Sequence, residues 1–117
     1  MHSPLPHHVN KKQSKPQTNG CGYIWDLITS ENNPESSVDY CLMTKPSEKH
    51  KHNKTFEFYC IVKGTGTVYV GNKIFKVQPG SVIQIPPGYE HYTEPADKLE
   101  LFVVNTPPFN QSDYIPI

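Results

Sequence analysis

Three histidines and a glutamate stand at spacings that could hold a divalent metal ion: His50-x-His52-x4-Glu57-x6-Gly64 in one stretch, and Gly80-x5-Pro86-x-Gly88-x2-His91 in another. Successive side chains on a strand point to opposite faces, so His50 and His52 share a face while Lys51 points away. Imidazole nitrogens and a carboxylate oxygen form a donor set that Fe, Mn, Ni, Co and Zn all accept as divalent ions. Four such donors leave about two positions of an octahedron for a bidentate ligand, or for substrate and dioxygen. The expected cofactor is therefore one divalent transition metal ion, and the residues do not choose among the five. A lone His-x-His is most often surface chemistry, and a lone Pro-Pro-Gly is only a turn. The reading rests on all eight motif positions falling in register.

These residues need strands to position them. Thr55 to Val62 is rich in aromatic and β-branched residues and predicts a strand. As an antiparallel return from His50-x-His52, it is expected to place Glu57 beside the two histidines. Alternation puts Glu57 and Tyr59 inward and Phe58, Cys60 and Val62 outward. Tyr59 is thus the candidate catalytic residue, as pocket wall or proton donor; the plainer reading is a packed aromatic. Cys60 reads as packing rather than a nucleophile. Ser81 to Ile85 predicts a short strand stopped by Pro86-Pro87-Gly88, since proline cannot donate to a ladder. That corner can aim His91 back toward the interior, with Glu90, Tyr92 and Glu94 exposed on a loop around it.

Further strands are expected over Gly22–Ile28, Val38–Met43 and Leu99–Val104, with a hairpin of Thr67–Val70 and Lys73–Val77 about the turn Gly71-Asn72. No amphipathic helix is evident, so the chain reads as nearly all β. Residues 1–19, poor in apolar side chains, predict a flexible or extended arm whose His2, His7 and His8 could bind metal adventitiously. One domain is expected over 20–117, with a C-terminal tail (Tyr114 to Ile117) too apolar to be left in water.

The paired motifs resemble the signatures of the cupin superfamily, over about Val38 to Pro108. The resemblance implies a small single-domain antiparallel β-barrel or jelly roll, with His50, His52, Glu57 and His91 as the metal ligands. Two positions depart from the family pattern: Thr44 replaces a glycine six residues before His50, and Pro95 an asparagine four residues after His91. Neither is a ligand position, though the local loop geometry there is less constrained.

Composition narrows the function classes. A 117-residue chain of zero formal net charge is one domain, without the basic patch that nucleic-acid binding needs. No membrane span and no secretion signal are expected. Cys21, Cys41 and Cys60 form no C-x-x-C pair and read as free thiols in a cytoplasmic protein. All eleven cationic side chains are lysines, so the planar guanidinium clamp for carboxylates or phosphates is missing. The strand from Phe58 to Val62 is apolar on both faces, which predicts a cover for its outer face and a homodimer. The leading functional expectation is a metal-dependent enzyme (dioxygenase, decarboxylase or lyase, or isomerase) acting on a small polar metabolite. Alternatives are a sugar isomerase or epimerase and a non-catalytic module binding a metal or small ligand. Fold alone does not separate them.

Overall fold

The structure, a computed structural model, describes residues 4–117, so His2 lies outside the described residues. Eleven strands run in the order β1 (Gln17–Asn19), β2 (Gly22–Ile28), β3 (Ser37–Met43), β4 (His50–Lys51), β5 (Phe56–Lys63), β6 (Gly66–Val70), β7 (Lys73–Val77), β8 (Val82–Ile85), β9 (His91–Pro95), β10 (Leu99–Thr106) and β11 (Ile115–Pro116). Two short 3₁₀ turns, Lys11–Gln13 and Gln111–Asp113, are the helical elements among the described residues. The strands form two antiparallel sheets, β1-β2-β3-β10-β5-β8 and β11-β4-β9-β6-β7, which bury their inner faces against each other as a β-sandwich.

Strand alternation divides that interior into two zones. The register of β3, β10 and β5 sets Met43 beside Leu99 and Cys41 beside Leu101, with Leu101 beside Ile61. Together with Val68, Val70, Ile83 and Ile85 these form the apolar core. Two rows further along, Ser37, Asn105 and Glu57 line up across the same face, and Asp39, Val103 and Tyr59 occupy the row between. The interior is therefore apolar at one end and polar at the other, because β3, β5 and β10 all switch to polar residues on their inward phase. On the opposite sheet His50 pairs with His91, and His91 with Val70, so the histidines face that polar end.

Three expectations change. His91 lies on a strand rather than a loop: β9 pairs with β6, so Tyr92 and Glu94 take the outward phase, and Tyr92 stacks on Tyr69 at 4.4 Å. Glu57 does not come from a strand pairing with the His50 segment. It belongs to the other sheet and meets the histidines across the sandwich, since β5 finds its ladder partners in β10 and β8. The end of the arm is ordered too: Gln17–Asn19 pairs with β2, satisfying an edge whose N–H and C=O groups would otherwise stay open. Upstream, Asn10 and Gln13 close a capping box, and the Lys11 ammonium sits 4.7 Å from the ring centres of Trp25 and Tyr40. The arm thus covers the outer face of β2 and β3, and His7 and His8 are exposed.

Two motif glycines have steric reasons. Gly64 ends β5 with φ +87°, and a Cβ there would collide with the Lys98 carbonyl oxygen. Gly88 has φ +88°, and its N–H donates to the His52 carbonyl at 2.6 Å, tying the Pro-Pro-Gly corner to the histidine segment.

Candidate metal centre

The four residues singled out in the sequence come together. One donor atom from each of His50, His52, Glu57 and His91 lies within 4.8 Å of every other, and all four side chains are buried. Glu57 Oε1 is 2.8 Å from His91 Nε2 and 3.1 Å from His52 Nε2. The rings of His50 and His91 are 4.3 Å apart, centre to centre.

The outer nitrogens decide what the inner ones can do. His50 Nδ1 is 2.9 Å from the Glu48 carbonyl, His52 Nδ1 is 3.0 Å from the Asp113 carbonyl, and His91 Nδ1 is 2.9 Å from the Tyr89 carbonyl. A carbonyl oxygen only accepts, so each Nδ1 must carry the proton and donate. In the neutral rings every Nε2 is then a bare lone pair, aimed at its neighbours and at the Glu57 carboxylate. His52 Nε2, His91 Nε2 and Glu57 Oε1 are fully buried and have no hydrogen-bond partner of proper direction, short as their separations are. Lone pairs converging on a carboxylate oxygen repel one another unless a cation sits among them. Backbone carbonyls that hold the far nitrogen are also the usual support of a metal-ligating histidine. The cluster fits a divalent metal ion.

Without metal, a proton is the remaining cation, and the titration of the cluster reflects it. Burial raises the Glu57 carboxyl, but hydrogen bonds and charge from His52 and His91 outweigh it and pull the group down to about 2. Burial lowers His52, yet the Glu57 hydrogen bond and charge leave it raised; His50, dominated by burial and the nearby His91, is lowered. The Glu57 contribution to stability is complete above its ordinary 4.5 and lost as pH falls through about 2. The His52 contribution is complete below its ordinary 6.5 and lost as pH rises through its raised folded value. In chelator-treated protein, the melting-temperature gap between wild type and Glu57→Gln is therefore expected to be widest between about 4.5 and 6.5. A gap that keeps growing toward alkaline pH would contradict the pairing; a pH series of thermal melts decides it.

The tail supplies parts of the site that sequence reasoning missed. Tyr114 stacks on His50 at 4.5 Å with the planes 22° apart, and its hydroxyl donates to Glu48 at 2.6 Å. Burial first, then Glu48, pushes that phenol up. The Asp113 carboxylate accepts from the N–H groups of Asn53 and Lys54 at 2.9 and 3.0 Å and from the Thr55 hydroxyl at 3.2 Å. Its side chain thereby anchors the turn after His52, while its carbonyl orients the His52 ring. The only sequence signal was the apolar character of the tail, and nothing in spacing links residue 113 to residue 52. Tyr59 is buried on the same face as Glu57, its ring 6.4 Å from that of His91. Burial and the Glu57 charge keep its hydroxyl protonated. Cys60 faces outward, and the three cysteines are free thiols. An open cleft of about 690 Å³ adjoins the turn after His52, lined by Asn53, Lys54, Thr55 and Asp113, and another of about 560 Å³ lies beside Thr65–Thr67 and Glu94–Ala96; none of the four residues lines either. The centre is an interior site, with Tyr114 stacked on the His50 ring.

A model of the Cupin domain matches residues 43–105, more than half of the chain, and that span contains all four donors. The chain belongs to the cupin family. The uncharacterized protein MJ1618 of Methanocaldococcus jannaschii is 33% identical over 66 residues, 55% of this chain. The match covers 53% of that protein, so the chain spans about half the length of this relative. A protein from Planctomyces limnophilus superposes with a TM-score of 0.86 at 19% identity, covering 95% of this chain and 96% of that one. Pac13, a nucleoside dehydratase, gives 0.81 at 15% identity, covering 97% and 92%. At such identities these two structures speak for the cupin fold alone.

Proposed function

We propose that this cupin binds one divalent transition metal ion through His50, His52, Glu57 and His91, and that it is a metal-dependent enzyme acting on a small polar metabolite. The observation that carries the reading is the set of Nδ1–H bonds to backbone carbonyls, which leaves buried Nε2 lone pairs with no partner around Glu57. A divalent ion there supplies Lewis acidity and a template for an oxygen-bearing substrate. The chain's own part is to exclude water and orient the substrate. Tyr59, held protonated on the interior wall, can donate its proton to a substrate oxygen and is the candidate catalytic residue. That Pac13 acts on a nucleoside supports a small polar organic substrate for this chain as well. Three free thiols agree with a cytoplasmic setting, and no helix among the described residues is long and apolar enough to cross a membrane.

The test is metal content after anaerobic purification without an affinity tag. One Fe, Mn, Ni, Co or Zn ion per chain is expected. No bound metal, together with thermal stability indifferent to added divalent ions, would sink the reading and leave a binding barrel with idle ligands.

We also propose a homodimer. The arm covers only the β2–β3 part of the larger sheet's outer face. Phe56, Val62, Val82 and Phe102 on β5, β8 and β10 remain exposed, a contiguous apolar surface that a second copy would bury. Light scattering at micromolar concentration is expected to give a dimer, and a monomer would refute it.

A further inference from the structure

We propose that the C-terminal segment from Asn110 to Ile117 is a strap that lifts to admit metal and small ligands to the centre, through the cleft beside the Asn53–Thr55 turn. The inference rests on the metal-site reading for what enters, and on the tail's own contacts for the motion.

The four donor residues are between 1% and 7% exposed, so nothing the size of a metabolite reaches them unless part of the chain moves aside. The strands that carry the donors are poorly suited to move. β5 is paired on both sides, by β10 and β8, and β9 lies between β6 and β4. Displacing either breaks a sheet and opens the core. The tail is held differently. No residue from Pro107 to Ile117 is buried, and β11 contributes a ladder of only two residues with β4. Its other fastenings are the Ile117 N–H on the Lys49 carbonyl at 3.0 Å, the Tyr114 hydroxyl on Glu48 at 2.6 Å, and the Asp113 carboxylate on the Asn53–Thr55 turn. A segment with few buried apolar contacts and hydrogen bonds near the surface opens at the low end of local stability.

What the tail lies against gives that motion its consequence. The Tyr114 ring is 4.5 Å from the ring of His50 and 5.8 Å from that of His52, and the Asp113 carbonyl accepts from His52 Nδ1. Consecutive tail residues thus cover two of the three imidazoles. The cleft of about 690 Å³ is lined by Asp113 and by the Asn53–Thr55 turn, but not by His52. Asp113 is the partition: its carboxylate ties the turn at the cleft, and its carbonyl holds the imidazole behind. Releasing it uncovers His50 and His52 together and joins the centre to the cleft, whose volume is in the range of small-molecule sites.

A staple tests the motion. Lys51 and Ile115 face each other in the β4–β11 ladder, a separation that a disulfide spans, and Lys51 points away from the metal donors. Oxidised Lys51→Cys/Ile115→Cys protein holds the strap down without altering a donor, and Ile115→Cys alone controls for the native thiols. Zinc uptake by stopped flow, and zinc release to excess chelator, should both slow about tenfold or more in the oxidised double variant. The dissociation constant should stay unchanged, and reduction should restore both rates. Tyr114→Phe keeps the stacked ring and loses the Glu48 bond; it should speed uptake and release alike, about fivefold, and it serves if the pair does not oxidise. Amide hydrogen exchange in the chelator-treated full-length chain gives a readout free of metal. The Asn53, Lys54 and Ile117 amides should exchange together and before the β5–β10 ladder, and about tenfold more slowly when stapled. Zinc kinetics indifferent to the staple, a Tyr114→Phe variant altered in release alone, or those three amides exchanging only with the ladder would each overturn the inference. Failure of wild type to bind zinc would instead remove the metal reading, and amide exchange would still decide the strap.

Discussion

Replacing His91 by alanine is expected to empty the metal centre. His91 is 1% exposed, pairs through its backbone with His50, and brings Nε2 to 2.8 Å from Glu57 Oε1. The variant loses one of three imidazoles and also relaxes the carboxylate the others share. Metal content should fall from one ion per chain to none. A bound ion held at about a thousand times its dissociation constant stabilises the folded state by roughly 4 kcal/mol. For a domain of this size that corresponds to a melting temperature lower by on the order of 15 °C. Thermal melts in excess zinc and in chelator separate the two contributions. Wild type should show a large gap between the conditions and His91→Ala almost none. A variant that still gains stability from zinc would remove His91 from the ligand set.

Asp113→Ala should have the next largest effect, although the residue is 61 positions from the histidine it supports. Its carboxylate accepts three hydrogen bonds from the Asn53–Thr55 turn, and those bonds hold the tail so that the Asp113 carbonyl meets His52 Nδ1. Hydrogen bonds to a charged acceptor are worth about 1.5–3 kcal/mol when one partner is removed. The site is partly exposed, so the three together should cost roughly 2–4 kcal/mol. Loss of a residue that orients a metal ligand typically lowers metal affinity about 10- to 100-fold. Asp113→Asn keeps one acceptor oxygen and should fall between wild type and alanine on both measures. Equal zinc affinity in all three proteins, by competition with a chromophoric chelator, would mean that the tail closes the barrel without tuning the site.

Several strands were legible because each is dense in β-branched and aromatic residues with turn residues at its ends. β2, β5, β8 and the β6–β7 hairpin fall within a residue or two of where those patterns put them. β9 was not legible, because His91-Tyr92-Thr93-Glu94 alternates without an apolar residue on its inward phase: its buried face is His91 and Thr93. β1 and β11 were hidden for another reason. Gln17–Asn19 and Ile115–Pro116 are strands only because the edges of β2 and β4 offer them a ladder.

By itself, the sequence determined the chemical content of the centre and its local phase. Donor types, the period of two that turns His50, His52, Glu57 and Tyr59 inward, and the glycine and proline punctuation are all short-range properties of the chain. Tertiary structure decided what lies across the gap. Glu57 faces the histidines from the opposite sheet, Asp113 and Tyr114 return from the tail to orient His52 and cover His50, and Ser37 and Asn105 line up with Glu57 on one polar row. Those contacts join segments tens of residues apart, and their geometry is set by which strand edges and faces are left to be satisfied once the core has packed.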